Sequence, residues 1–235
     1  MTIIAYILAI PIYWLVEYAV RKAGYPKKKE PTGLFLTEWK TGKEWTLLIS
    51  PGYWLAHCFK NRIDSFPEHN LYARRRFIVS NNKHNLYVTI VLFMFALIPE
   101  QQSYPSFFVQ LIWALAAIRF ISRAFEISYA FGGDVIARPR NKSGLSKYSR
   151  IQLAFRSYIE LFLLSIPVYY AHCLADGRLE SVTLSLSVGT LTNVGYAFSK
   201  EHVLETTFIF FVFLQVFATL SLVILSLAIY ISRRN

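Results

Sequence analysis

The sequence predicts an all-α membrane protein with five transmembrane helices, its N-terminus outside and its C-terminus inside. Three observations lead there. Of 235 residues, 54% are hydrophobic and only 17% charged, whereas a soluble domain of this size carries about 25% charged residues. The mean hydropathy is +0.37, and the apolar residues fall in long blocks rather than at an amphipathic period. The basic residues crowd into segments that flank those blocks, as positive-inside loops do.

Residues 1–22 form the first predicted span, an apolar run from Thr2 to Val20 closed by Arg21-Lys22. It has neither a basic start nor a small-residue cleavage site, so it reads as a retained helix rather than a signal peptide. Pro11 is tolerable in a membrane helix. Glu17, near the basic end, is expected to reach the interface and to have no buried role. Residues 23–85 form a basic cytosolic region with runs at Lys27-Lys28-Lys29 and Arg74-Arg75-Arg76. Inside it, Trp45 to Phe59 is apolar and aromatic but broken by Pro51-Gly52. Two readings of that stretch are equally open: an interfacial element, or a small hairpin or helix packed on the membrane domain.

Residues 86–125 hold a predicted transmembrane hairpin, Leu86 to Ile98 and Ser106 to Ile121, around a linker with Pro99, Glu100 and Pro105. Arg119 and Arg123 are expected to snorkel at its cytoplasmic end. Two arginines fall short of the regular series that a voltage sensor needs. A second basic cytosolic loop covers 126–150, with a turn expected at Gly132-Gly133-Asp134. Residues 151–235 then give a span from Ile151 to Leu174, a polar stretch, and a last span from Thr206 to Ile231.

Charge sets the orientation. Thirteen Lys and Arg lie in 21–85, five in 138–150 and two at the C-terminus, against none in 99–105 and two in 175–205. Only the outside-in, five-span arrangement places every basic segment on one side. The formal net charge of +11 is therefore accounted for by topology, and no nucleic-acid partner is expected, since that would want one basic face with stacking aromatics. The Lys27 run and Arg74-Arg75-Arg76 are candidate contacts for anionic lipid, although topological signalling explains them equally well.

The segment 179–198 is rich in Ser and Thr, with Glu180 its one charge. It is too polar for lipid and too apolar for an external loop. Irregular backbone at membrane depth is tolerated only inside protein or along a water-filled cavity. This composition predicts a re-entrant element: a short helix from about Glu180 to Leu191, then an extended descent back outward. Glu180 would favour that helix's N-terminus.

A span, a Ser/Thr-rich helix, Thr192-Asn193-Val194-Gly195-Tyr196-Ala197 and a long final span together resemble the two-span pore module of potassium channels. That family's filter reads Thr-Val-Gly-Tyr-Gly, and its pore helix commonly ends Thr-x-Thr-Thr, matched here by Thr190-Leu191-Thr192-Asn193. The resemblance covers about residues 150–235. It implies that Thr192 to Ala197 form an ion selectivity filter whose backbone carbonyls replace a cation's water. Gly195 would supply unusual backbone angles, and Tyr196 would brace the strand from outside. One chain supplies one such loop, so a homotetramer is implied. Three positions depart from the family: Asn193 for its filter Thr, Ala197 for its outer Gly and Phe198 for its following Asp. The implied permeant ion is thus a monovalent cation, K+ or Na+.

On the last span Gln215, Thr219, Ser226 and Tyr230 recur at helical intervals of four, seven and four. They are candidate pore-lining or gate residues, with interhelical glue the rival reading. Thr219 falls where the family often has a hinge glycine.

No nucleophile motif or paired acids point to an enzyme, and the five histidines are scattered. Cys58 and Cys173, far apart, read as free thiols. No metal site or cofactor is expected beyond the permeating ion. The expected function is the pore-forming subunit of a tetrameric monovalent cation channel in the plasma or inner membrane. The alternative is a non-conducting or regulatory membrane protein that keeps the fold.

Overall fold

A computed structural model of the chain describes residues 3–26, 44–64, 71–96, 106–136, 145–171, 177–198 and 206–232. The Lys27 run, the linker with Pro99, Glu100 and Pro105, Cys173, most of the 138–150 loop and Arg233-Arg234 lie outside them. Among the described residues the chain is helical and has no strand. The helices are α1 (Ile3–Gly24), α2 (Thr46–Ile49), α3 (Pro51–Asp64), α4 (Leu71–Ala96), α5 (Phe107–Ile136), α6 (Lys147–Ala171), α7 (Arg178–Gly189), α8 (Val194–Phe198) and α9 (Thr206–Ser232).

Three of these are long and apolar enough to cross a membrane: Ile3–Gly24, Phe107–Ala130 and Tyr148–Ala171. The apolar stretch of α9, Ile209–Ile224, is shorter. α4 departs from the expected layout. It is one unbroken helix that carries Arg74-Arg75-Arg76 as well as the apolar block after Leu86, so the expected boundary at residue 85 is no structural break. Nothing in 71–96 interrupts a helix, because the stretch contains neither Pro nor Gly. The turn expected at Gly132-Gly133-Asp134 is likewise absent, since α5 continues to Ile136.

Side-chain contacts give the helix directions. Tyr13 of α1 meets Ser122 of α5, and the small residues Ala5, Ala9 and Ala114 pack together nearer the start of both helices. α1 and α5 therefore run parallel. Trp113 of α5 reaches Ala96 of α4, and Arg119 reaches Asn85, so α4 runs the opposite way. Asn82 and Thr89 of α4 meet Ser157 and Glu160 of α6 in the same order, so α6 follows α4. The main core gathers Phe120, Ala124, Leu161, Leu164, Val168, Leu184, Val188, Val212 and Leu222 from α5, α6, α7 and α9.

The aromatic stretch from Trp45 to Phe59 breaks at Ser50 into α2 and α3, as Pro51-Gly52 suggested. Both helices pack on the membrane-type bundle. Trp54 lies edge-on to Trp14 of α1, and Phe59 and Ile63 join Tyr25, Ala73 and Phe77 in a second core. Burial in this region pushes the Cys58 thiol up to about 11.

Candidate functional site

Two polar regions sit inside this apolar frame. The first is the segment after α6. α7 begins beside the end of α6, where the Arg178 guanidinium lies 5.9 Å over the Tyr170 ring. It then runs back along α6. The Ser185 hydroxyl donates to the Phe162 carbonyl at 3.1 Å and pairs with Ser165 Oγ. One turn later, a Cβ placed at Gly189 would stand 3.7 Å from the Tyr158 hydroxyl and 2.9 Å from Gln215 Nε2. Tyr158 is near the middle of α6, so α7 ends at half the length of that helix. A side chain at Gly189 would have to displace the Gln215 carboxamide from this place.

α7 closes with Leu191 at φ 60°, the left-handed cap position that glycine usually fills. Thr190 donates to the Leu186 carbonyl at 2.7 Å, and its hydroxyl lies 2.8 Å from that of Thr192. The chain then turns back. Tyr196 donates through its hydroxyl to Glu180 Oε1 at 3.3 Å, in the first turn of α7, so a contact across a separation of sixteen residues closes the excursion. Thr190, Thr192, Asn193 and Gly195 are exposed on its tip, while Ala197 is buried.

The expected extended strand does not form. Val194–Phe198 is instead a single helical turn. Its start is held by Asn193, whose backbone carbonyl and Oδ1 both accept from the Tyr196 N–H at 3.2 Å. Asn is a strong helix N-cap, which the likeness to a Thr-Val-Gly-Tyr-Gly filter leaves out of account. Gly195 accordingly adopts no left-handed angle, and a Cβ there would meet nothing closer than 4.0 Å. Phe198, partly exposed, tilts against Phe213 of α9 at 5.4 Å.

Gln215 and Thr219, expected to line a cavity, are buried within the chain. Gln215 accepts from the Tyr169 hydroxyl and donates to the Ser185 carbonyl at 3.1 Å. It thus ties α9 to α6 and α7, the glue arrangement, because a carboxamide in an apolar bundle must find partners. Ser226 and Tyr230 lie further along α9, with side chains outside the described residues.

The second region was not expected to be a site at all. Six charged side chains close a ring of ion pairs across α1, α5 and α6. Arg21 pairs with Glu17 at 2.8 Å, and Glu17 with Arg119. Arg119 pairs with Glu160 at 3.2 Å and Glu160 with Arg123 at 2.6 Å. Arg123 pairs with Glu126, which returns to Arg21 at 3.1 Å. Each arginine bridges two carboxylates and each carboxylate two arginines, so the ring is neutral. Glu17, Arg21 and Glu160 are fully buried, Arg119 nearly so. Glu17 therefore has a buried role, and Arg119 and Arg123 do not snorkel.

α4 completes the coordination. Arg119 also donates to the Asn85 carbonyl and Oδ1, both at 3.1 Å, and to Thr89 Oγ1 at 3.3 Å. Arg21 donates to Asn81. The corner between α2 and α3 enters from the other side. Arg21 Nε and Nη2 donate to the Gly52 carbonyl at 3.3 and 3.1 Å. A Cβ on Gly52 would fall 2.8 Å from Glu17 Oε2, so only glycine lets the backbone approach this closely. Ser50 caps α3 by accepting from the Tyr53 N–H at 3.2 Å, and donates to the Ser122 carbonyl at 2.9 Å.

The sequence did carry a signal for the ring: charges inside apolar runs at one-face spacing, Glu17 with Arg21, then Arg119, Arg123 and Glu126. Ionisable residues inside spans rarely lack a function or a partner. Among the described residues, no group of three His, Cys, Asp or Glu gathers to hold a metal. Compared with protein families, with curated proteins and with solved structures, the chain matches none.

Proposed function

We propose that the chain is the pore-forming subunit of a homotetrameric channel for monovalent cations, with five spans, the N-terminus outside and the C-terminus inside. The observation that carries this reading is the excursion of α7. It returns along α6 to that helix's midpoint and comes back, leaving Thr190, Thr192 and Asn193 exposed. If α6 crosses the bilayer, this tip lies near its midplane, where exposed polar groups must face protein or water. One chain leaves the tip uncovered; four copies around an axis would enclose it. The carbonyl end of α7 also carries the negative end of its dipole and points at that enclosed space, a favourable field for a cation. The alternation of helix directions along α1, α4, α5 and α6 is compatible with the five-span path.

A second reading rests on one observation. With Asn193 holding Val194–Phe198 as a helical turn, this segment offers no column of free carbonyls. That favours a non-conducting or regulatory membrane protein with a channel-like fold. Liposomes containing the purified protein decide between them. The channel reading predicts K+, Rb+ or Na+ flux from an oligomeric particle, abolished by Gly195→Trp with assembly intact. Absence of flux at every applied potential, from a particle that is not tetrameric, overturns it.

A further inference from the structure

The one-turn helix α2 has two unlike faces. Thr46 is fully buried against the bundle, whereas Trp45, Leu48 and Ile49 are 50, 89 and 44% exposed. Positions i, i+3 and i+4 of a helix share one side, so these three make a single outward apolar face. Its level is set by α5. The Trp45 ring stands edge-on to Phe125 at 6.0 Å and to Tyr129 at 5.9 Å, and Tyr53 packs on Tyr129 at 4.9 Å. Tyr129 is one residue from the end of the apolar stretch Phe107–Ala130. The same end of the bundle holds the Arg21-Lys22 terminus of α1.

We infer that α2 is a foot: Trp45, Leu48 and Ile49 insert into the lipid leaflet on the Arg21-Lys22 side of the bilayer. An apolar helix flanked by Trp and Tyr, at the height where a spanning helix leaves the hydrocarbon, has the composition that membrane interfaces select. Trp45, Leu48 and Ile49 together make a contiguous exposed apolar patch, the kind of surface that marks an interaction with an apolar phase, and lipid is the apolar phase already present at that height. The foot also has an internal connection. Ser50 and Gly52 come directly after it and bind Ser122 and Arg21, so the seating of α2 in lipid fixes where the corner meets the ion-pair ring. This inference rests on α5 crossing a bilayer and is independent of conduction.

Nitroxide accessibility tests it in phosphatidylcholine–phosphatidylglycerol liposomes. The full chain with Cys58→Ser and Cys173→Ser carries one label, at Leu48→Cys or, as an aqueous reference, at the exposed Asn61→Cys. The Leu48 label is expected to collide with oxygen and to be shielded from a water-soluble nickel chelate, the reverse of the Asn61 label. Nickel access equal to that at Asn61 overturns the foot in favour of a cytosolic face. Access for neither quencher overturns it in favour of cover by protein, such as a second copy. A measurement without cysteine changes stands beside it: brominated lipid should quench wild-type tryptophan emission by a fraction missing in Trp45→Phe. Equal quenching in the two proteins contradicts lipid insertion.

Discussion

The ion-pair ring and the α7–α8 tip are two answers to one difficulty, the placement of polar groups in an apolar helical frame. The ring uses full charges and completes every pairing within one chain. Arg123 grips Glu160 through two parallel contacts, Nε at 2.8 Å and Nη2 at 2.6 Å, the geometry that makes such pairs strong. The tip uses uncharged Thr and Asn groups and leaves several exposed. The ring is thus finished in the protomer, whereas the tip leaves Thr190, Thr192, Asn193 and Gly195 exposed. The difference separates residues that hold the fold from residues available for work.

Substitutions should therefore act very differently in the two regions. The largest effect is expected for Arg119→Leu, which leaves Glu17 and Glu160 each short of a partner. Breaking a buried pair in this way costs about 3–5 kcal/mol, to be read by reversible denaturant titration in mixed micelles. An effect below about 1 kcal/mol would mean that these charges are hydrated. Gly52→Ala comes next. The new methyl must displace Glu17 or Arg21, at a cost of about 1–3 kcal/mol by overpacking, and the same titration checks it.

At the tip the direction reverses. Leu191→Gly should stabilise the protein by about 1 kcal/mol, because it removes a side chain from a left-handed angle. A loss of stability there would show that the contacts of the partly buried Leu191 side chain outweigh its backbone cost. The smallest expected effect on stability belongs to Thr192→Val, within about 0.5 kcal/mol as for other exposed sites. Its flux in liposomes should nonetheless change if the tip lines a conduction path. Unaltered flux and unaltered stability together would remove Thr192 from any role.

The same contrast explains what was legible in the sequence. The Ser/Thr-rich stretch after the fourth apolar block located α7 within two residues at either end, since its composition fitted neither lipid nor open water. Pro51-Gly52 marked the break between α2 and α3. By contrast, the helical turn at Val194–Phe198 was hidden behind a motif: comparison with a filter directed attention to Gly195, while the residue that sets the local conformation is the Asn193 cap. Of the polar positions spaced along α9, Gln215 and Thr219 are both buried, yet spacing alone does not say whether a face looks outward or inward. Gln215 looks inward because Tyr169 and the Ser185 carbonyl are there to receive it.

The ring was missed for a different reason. Glu17 and Arg119 were each judged by distance from the end of an apolar run, and for a lone charge on an isolated helix snorkelling is the reasonable expectation. What reverses that expectation is tertiary: α1 and α5 run parallel, so Glu17 and Arg119 reach the same height, and Glu160 arrives there from α6. Asn81, Asn85 and Thr89 on α4 show the same dependence, since three small polar residues in a row of turns mean little until the guanidiniums opposite them are known.

Closure of the ring is tested most directly by a double-mutant cycle on Arg123→Gln and Glu160→Gln, with unfolding free energy in micelles as the readout. The two residues share a bidentate pair, and each single change leaves the other with one ion-pair partner instead of two. The ring predicts that the double variant is more stable than the sum of the single losses implies, with a coupling of about 1–3 kcal/mol. Additive losses would contradict it, because charges that do not depend on one another are not members of a closed ring.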